Sequence, residues 1–578
     1  MAAMRFLPFT DLRSITARDV WRDAGSALGV TFLAVPQGIA YAIIAGLPPV
    51  MGLYAAAVPV IVGSLLRSSR HVITGPTNAL SLLVGAAVLS HAGIDPMVIG
   101  VTLAVMVGLF QVAAGALRLG AVVDYISKPV VLGYITGAAL LIVLGQLTSA
   151  TRTSVAPGHR LVQTWKWIET LPDASTGAVL LALATAIAIL GLRAISKKIP
   201  AALLALALAT AASLAFDFAA MGFRTVRDLA PVPASLPPLT LPDWQVAPEL
   251  MAAAVACTVM SLVESSSVAR AISARTGQTV DPSVEFTGQG IANLVSGLFG
   301  GYPTSGSLAR SALNAGAPSR LSGVISGVML LVMLLTMGPV LDATPIAALA
   351  GLLFVIAFDI VDLTVIRRLL RTSWPDAAAF AATFAGTLIL SLDTAIYLGV
   401  GISIMLFLRR ARLLVVHELG VDPQGHVREI DSEDDDGIWR RCAHVRMLHL
   451  EGRLFFGVEG ELQTALDEVL ADHTVRVLLL RLKRTQGMDA TIAAVLRNAA
   501  LRLQADNRYL LLAGVRSDTL PLLERAGVTE TVGAENLFAS ERKWFGSMNA
   551  AMQRALVLSA EQHDEDCPLL LLTDAARP

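Results

Sequence analysis

Cysteine is nearly missing from this 578-residue chain, which has three: Cys257, Cys442 and Cys567. They lie far apart, which excludes a disulfide framework and any paired-thiol metal site. Charge is scarce too, at 15% Asp, Glu, Lys and Arg against roughly 25% in soluble domains. Aromatic residues make up 6% and are not interleaved with basic patches, and the net charge is −1. Nothing therefore points to a nucleic-acid partner. No nucleophile–base pair, metal-ligand spacing or phosphate loop stands out, so neither an enzyme nor a bound cofactor or metal is expected. No small-residue cleavage site follows an isolated apolar core near the start, and residues 1–23, with Arg5, Arg13, Arg18 and Arg22 among their charges, read as a cytoplasmic segment.

What the chain has in excess is apolar residues, 54% of the total, and they are unevenly placed. Residues 1–413 hold 45 of the 89 charged residues (45/413, 11%), and residues 414–578 hold the other 44 (44/165, 27%). The first part is membrane-like and the second soluble-like. Crossing a hydrocarbon layer takes about 20 apolar residues. Fourteen such runs, two of them short, recur at 24–45, 50–66, 76–91, 97–116, 130–148, 174–193, 199–219, 247–269, 282–299, 306–316, 321–338, 345–361, 376–392 and 394–411. With alternating sides, sixteen Lys and Arg of the connections, among them Arg67, Arg70, Arg270, Arg320, Arg368 and Arg371, fall on one side. Five, Arg152, Arg160, Lys166, Arg224 and Arg227, fall on the other. That asymmetry predicts an even span count with both termini in the cytoplasm.

Seven spans per half turn the second half upside down relative to the first. The two short runs both come third in their halves, opening at Gly75-Pro76 and Gly306-Ser307, about 231 residues apart; the first spans of the halves are offset by a similar ~223. The expected fold is therefore a membrane all-α domain over 24–413, with 14 transmembrane spans in a 7+7 inverted repeat and two half-helices.

Broken helices inside a membrane point to a cavity, because a non-helical backbone needs protein or water to satisfy its polar groups. A helix start offers free N–H groups and about half a positive charge, so two starts facing each other make an anion site. Pro76 suits the first helical position, where its missing N–H costs nothing. In the second half, Tyr302-Pro303-Thr304-Ser305-Gly306-Ser307-Leu308-Ala309-Arg310 combines a breaker, small hydroxyls and a cation. Two ordinary kinked helices are the plainer reading. Arg310 lies in apolar sequence and is either a fixed cation for an anion or a snorkelling helix end. Glu264 is the clearest carboxylate within a span and is either a proton carrier or a structural partner for Arg310 or nearby backbone. Gln37, after Pro36, either faces the cavity or rides on a helix packed through Gly38 and Ala40. Glu285, Asp359 and Asp362 fall near span ends and read as caps or partners of Arg.

Beyond 413 an acidic stretch at 431–436 reads as part of a linker, 414–437, and an α/β domain follows over 438–556, with a tail at 557–578. Strand-like runs at 445–450, 475–480 and 509–514 alternate with helix-like runs at 459–470, 491–505 and 519–526, which predicts a mostly parallel small sheet.

Taken together the chain resembles the sulfate permease (SulP) family of anion transporters, over almost its whole length. The resemblance is carried by Val35-Pro36-Gln37-Gly38-Ile39-Ala40-Tyr41-Ala42 and Gly46-Leu47-Pro48-Pro49-Val50-Met51-Gly52-Leu53-Tyr54. Further matches are Ser69-Arg70-His71 with Gly75-Pro76, the Glu264 region, Glu285 to Asn293, and Gly306 to Asn314. The resemblance implies a fourteen-span core-and-gate fold with a cytoplasmic STAS domain, working as a homodimer by elevator-like movement in the cytoplasmic (inner) membrane. It implies substrate contacts at Gln37, Tyr41, Pro76, Thr77, Ser307, Leu308, Ala309 and Arg310, and proton coupling at Glu264. Ala309 stands where some relatives have serine, which leaves substrate preference open. The function implied is secondary active uptake of a small oxyanion or dicarboxylate of the sulfate, bicarbonate or fumarate class, with a proton. An uncoupled exchanger or channel, or a sensor signalling through the STAS domain, is the alternative. Asp489-Ala490-Thr491 is similar to a turn phosphorylated in bacterial regulators of the same domain type, which makes Thr491 a possible switch, and the domain a possible docking point for a cytoplasmic partner.

Overall fold

The computed structural model describes residues 15–120, 127–156, 160–196, 199–412, 414–421, 427–430, 442–541 and 546–559. The chain divides into two compact units, Met1–Ile404 and Met405–Pro578.

In the first unit the helices run α1 (Ala17–Ile44), α2 (Pro49–Leu66), α3 (Asn78–Ser90), α4 (Pro96–Ala116), α5 (Lys128–Thr151), α6 (Arg160–Glu169), α7 (Thr176–Ile195) and α8 (Ala201–Ala215). They continue as α9 (Met251–Thr276), α10 (Pro282–Leu298), α11 (Leu308–Asn314), α12 (Leu321–Asp342), α13 (Ile346–Ile360), α14 (Leu363–Thr372), α15 (Trp374–Ile389) and α16 (Leu392–Ala411), whose last residues belong to the second unit. All fourteen apolar runs fall on helices. Among the described residues, eight helical stretches are long and apolar enough to cross a membrane, Ile346–Thr372 being counted as one, and α3, α8 and 392–406 are shorter apolar helices. Two amphipathic helices, α6 and α14, were not expected from the apolar runs, because polar residues alternate with their apolar ones within each turn.

Residues with almost no side chain set the packing. Among apolar helices in lipid there is little hydrophobic drive, and close approach of backbones supplies dispersion contacts instead. A Cβ on Gly52 would sit 1.9 Å from the Gly38 carbonyl oxygen, so α1 and α2 cross there without a side chain between them. Gly108 and Gly290 do the same for α4 and α10, each hypothetical Cβ lying 2.8 Å from the other's carbonyl oxygen. Two short strands, β1 (Ile73–Gly75) and β2 (Ser305–Ser307), precede α3 and α11 and pair antiparallel, Ile73 opposite Ser307 and Gly75 opposite Ser305. The segments before the two half-helices thus lie side by side within the packed helices.

The second unit is a six-stranded sheet of β3 (Val415–Val421), β4 (Val427–Ile430), β5 (Val445–Arg453), β6 (Val477–Gln486), β7 (Tyr509–Val515) and β8 (Leu537–Ala539), ordered β4-β3-β5-β6-β7-β8. β5 to β8 are parallel, and β3 is antiparallel to both β4 and β5. Both faces of the parallel part are covered, which explains its unbroken apolar runs. α17 (Glu459–Ala471), α18 (Ala490–Ala505), α19 (Leu520–Arg525) and α20 (Val528–Val532) pack on Leu448, Leu480 and Leu512. α21 (Gly546–Leu558) covers Met447, Leu479 and Leu511 on the other face.

The interval read as a linker, 414–437, differs from expectation. Its described residues form β3 and β4, so the sheet begins at Val415 rather than after the acidic run. Two features hid them: β4 is an edge strand of only four residues, and both strands carry charges. The acidic run 431–436 and tail residues 560–578 lie outside the described residues, as do residues 1–14. α1 starts at Ala17, capped by a reciprocal Thr16–Asp19 box, so the last part of the segment read as cytoplasmic is already helix.

Candidate functional site

The pairing of β1 with β2 gathers the residues singled out in the sequence. α3 starts at Asn78 with Thr77 as its N-cap, and α11 starts at Leu308 with Ser307 as its N-cap. Neither cap side chain bonds to its own helix, so the first N–H groups of both helices stay available. Pro76 is therefore not the first helical residue, as expected, but lies just ahead of the cap. Its role is different: its carbonyl accepts a 2.6 Å hydrogen bond from Nη2 of Arg310. The chain turns back into helix only after that contact, which places the proline two residues ahead of the first helical position that propensity alone suggests for it.

Arg310 is fully buried. Beyond the bond to Pro76, its Nε and Nη1 have no protein partner. A side chain at Gly75 would collide with it, since a Cβ there would lie 2.4 Å from Nη1. The glycine is thus needed for the guanidinium to reach between the two strands. A buried cation with unused donors is costly, because guanidinium N–H groups removed from water need acceptors. The snorkelling alternative does not describe Arg310.

Glu264 on α9 accepts a 2.8 Å hydrogen bond from the Thr77 hydroxyl, linking the α3 cap to α9. It is partly exposed. Tyr41 and Gln37 on α1 are both about nine-tenths buried; Tyr41 lies within electrostatic reach of Arg310 and Glu264. The Gln37 carbonyl oxygen is buried without a hydrogen-bond partner. The packing reading of this stretch holds, since neighbouring Gly38 is the α1–α2 crossing point. Ser307 is buried, whereas Leu308 and Ala309 expose their side chains, so these two can offer only backbone groups to a ligand.

A polar network behind the strands fixes this geometry. Arg67 pairs with Glu285 at 2.5 Å and donates to Thr74 (2.8 Å) and Gln289 (2.6 Å). Gln289 and Asn293 donate to the Thr304 carbonyl at 2.9 and 3.0 Å, and Ser265 accepts from the Gly306 N–H at 3.0 Å. Asp359 pairs with Arg193 and Asp362 caps α14, so the three acids near span ends pair or cap as expected. Sequence reasoning assigns no role to Gln289 and Asn293, which support β1 and β2. The usable signal was polar residues four apart on an otherwise apolar helix. Tyr134 on α5 was missed as well. It is 2% exposed, its hydroxyl has no partner, and it lies within electrostatic reach of Glu264.

Two cations counted as surface charges are buried instead. Arg67 is the network residue just described, and Arg320 donates to the carbonyls of Ser64, Arg67 and Ser68 at the end of α2. Helix C-termini attract cations from either sequence neighbourhood or contact. Short connections gave no sign of the difference.

In the second unit Thr491 is not a cap. Asp489 caps α18 through the Ile492 N–H at 3.1 Å and also accepts from the Phe456 N–H at 2.6 Å, which leaves Thr491 in the first turn, partly buried.

A family model described as the sulfate permease family matches residues 20–383, and a STAS domain model matches residues 435–543. The candidate sulfate transporter YvdB of Bacillus subtilis is 29% identical over 524 residues, covering 89% of this chain and 95% of that one. The murine Solute Carrier 26 family member A9 anion transporter, solved in the inward-facing state, superposes with a TM-score of 0.86 at 19% identity, over 96% of this chain and 94% of that one. The transmembrane domain of the cyanobacterial bicarbonate transporter BicA has a TM-score of 0.61 at 26% identity, over 66% of this chain and 98% of that one.

Proposed function

This chain belongs to the sulfate permease family of anion transporters, and from that premise we propose that it is a secondary active transporter carrying a small oxyanion or dicarboxylate inward with a proton. It is a multi-pass membrane protein, and its relatives are transporters rather than enzymes. The observation that carries the reading is Arg310: a buried guanidinium with two nitrogens free of protein partners, beside the starts of two helices. Such donors suit a compact oxygen anion, which accepts several hydrogen bonds at once. Gln37, Tyr41, Thr77 and Ser307 complete the proposed site, with backbone N–H groups from Leu308 and Ala309 and the Pro76 carbonyl orienting Arg310.

Glu264 is the proposed proton carrier. Its carboxylate touches the α3 cap through Thr77, so protonation and anion binding would act on the same short segment. Inverted symmetry supports elevator-type movement of fourteen spans. α4 packs on α10 and α12 on α2; α5 packs on α15 and α13 on α7; α3 packs on α9 and α11 on α1. Each pair maps onto the other when first-half and second-half spans exchange, as an inverted repeat requires. With Arg67 and Arg320 removed from the count, fourteen Lys and Arg remain on the proposed cytoplasmic side against five, which supports a place in the cytoplasmic membrane with both termini in the cytoplasm. A homodimer and a cytoplasmic partner for the STAS domain belong to the same reading. Thr491 is the proposed phosphorylation site.

The test is uptake in proteoliposomes under an imposed proton gradient, with sulfate, bicarbonate and fumarate. Accumulation above equilibrium is expected for the wild type, and Glu264→Gln should lose it while retaining anion counterflow. Uptake that never exceeds equilibrium in the wild type would leave an exchanger or channel.

A further inference from the structure

A cavity of about 770 Å³ opens among α5, α9, α14 and the start of α15. Its volume is within the roughly 300–1,000 Å³ of small-molecule sites. Leu132 and Ile135 of α5, Val263 of α9, and Val365 and Leu369 of α14 form a long apolar wall. Three cations line it as well, Lys128, Arg270 and Arg368, all with exposed side chains, against a single acid, Asp376. Net positive charge at the rim and hydrocarbon along the wall do not suit a passage for a hydrophilic oxyanion, which would leave its hydration shell against Val and Leu. They suit an amphiphile with one anionic end.

α14 reinforces this reading. Its ten residues alternate Leu363, Val365, Ile366, Leu369 and Leu370 with Arg367, Arg368 and Arg371, and none is buried. A short basic amphipathic helix with no buried residue lies at a membrane interface, where its cations meet anionic headgroups. It borders the cavity, so a lipid seated there needs no route through the protein.

We propose that this cavity binds an anionic phospholipid, its phosphodiester held among Lys128, Arg270 and Arg368 and its acyl chain along α5, α9 and α14. Val263 precedes Glu264 on α9, and the same helix holds β2 through Ser265. An acyl chain wedged between α9 and α5 therefore links the composition of the membrane leaflet to the helix that carries the acidic residue of the site. The binding claim does not depend on which anion is transported.

The experiment is native mass spectrometry of the full-length protein titrated with phosphatidylglycerol and, separately, phosphatidylcholine of the same chains. Retention of phosphatidylglycerol should exceed that of phosphatidylcholine. The double variant Lys128→Ala, Arg368→Ala should weaken it by about fivefold per cation removed, while Arg371→Ala, outside the lining, should not. Leu132→Trp, which leaves the charges in place and fills the wall, should weaken retention independently. Equal retention of the two lipids, wild-type retention by both the double variant and Leu132→Trp, or displacement of phosphatidylglycerol by millimolar inorganic sulfate would overturn the proposal. The last result would mark the cavity as an aqueous anion path.

Discussion

Two buried arginines, one in each unit, show how differently a fold treats the same side chain. Arg508, 4% exposed, begins the turn into β7 and donates to four backbone carbonyls: Val475 at 2.6 Å, Leu470 at 2.9 Å, Val469 at 3.1 Å and Asp472 at 2.8 Å. Every one of its nitrogens has an acceptor, and the carbonyls belong to the end of α17 and the loop after it. This is a cation used as a structural clamp at a helix C-terminus. Arg310 is more deeply buried and makes one protein hydrogen bond. Arg67, also in the first unit, resembles Arg508 rather than Arg310, because Glu285, Thr74 and Gln289 occupy its donors. Burial alone does not mark a functional cation; burial with donors left over does.

The comparison can be broken at either end, and the largest effect is expected at Arg310. Arg310→Ala should raise the anion concentration for half-maximal uptake by about 10–100-fold, the range for losing charged hydrogen bonds to a ligand. Arg371→Ala, an exposed cation on α14, should leave it within about twofold, as for an exposed charge. Arg320 is unsuited as the control despite its position in the sequence, since it holds the end of α2. Equal effects at 310 and 371 would remove the distinction between the two kinds of arginine.

A smaller and different effect is expected at Arg508. Arg508→Met should lower the stability of the second unit by about 3 kcal/mol, because the carbonyls it serves would be left without donors. Hydrogen exchange on the full chain would show loss of protection in α17, β6 and β7 with β1 and β2 unchanged. If β1 and β2 also lost protection, the clamp would not be local to its own unit.

Much of this was legible in the sequence, and the exceptions share a cause. Apolar runs near membrane length marked fourteen helices, and Gly75-Pro76 and Gly306-Ser307 marked the breaks, because lipid permits few alternatives to a continuous helix. Arg310 and Glu264 stood out as charges in apolar sequence. What sequence could not separate was the state of each cation: Arg67 and Arg320 sit in short polar connections like surface charges, yet their partners arrive from α10 and the end of α2. Pro76 lies two residues ahead of the first helical position because a tertiary contact to Arg310, not helix propensity, sets where α3 begins. Likewise β4 is a short, charged edge strand that pairs with β3, and β3 is held in turn by β5, so a local pattern does not reveal them.

The central claim, that the unused donors of Arg310 face the transported anion, is most directly tested by anomalous scattering from selenate, a sulfate analogue, bound to the full-length protein. The expected result is a selenium peak within hydrogen-bonding distance of Arg310 Nε or Nη1, between the starts of α3 and α11, and its disappearance in Arg310→Ala. An ordered peak elsewhere in residues 24–413, with none beside Arg310, would contradict the account.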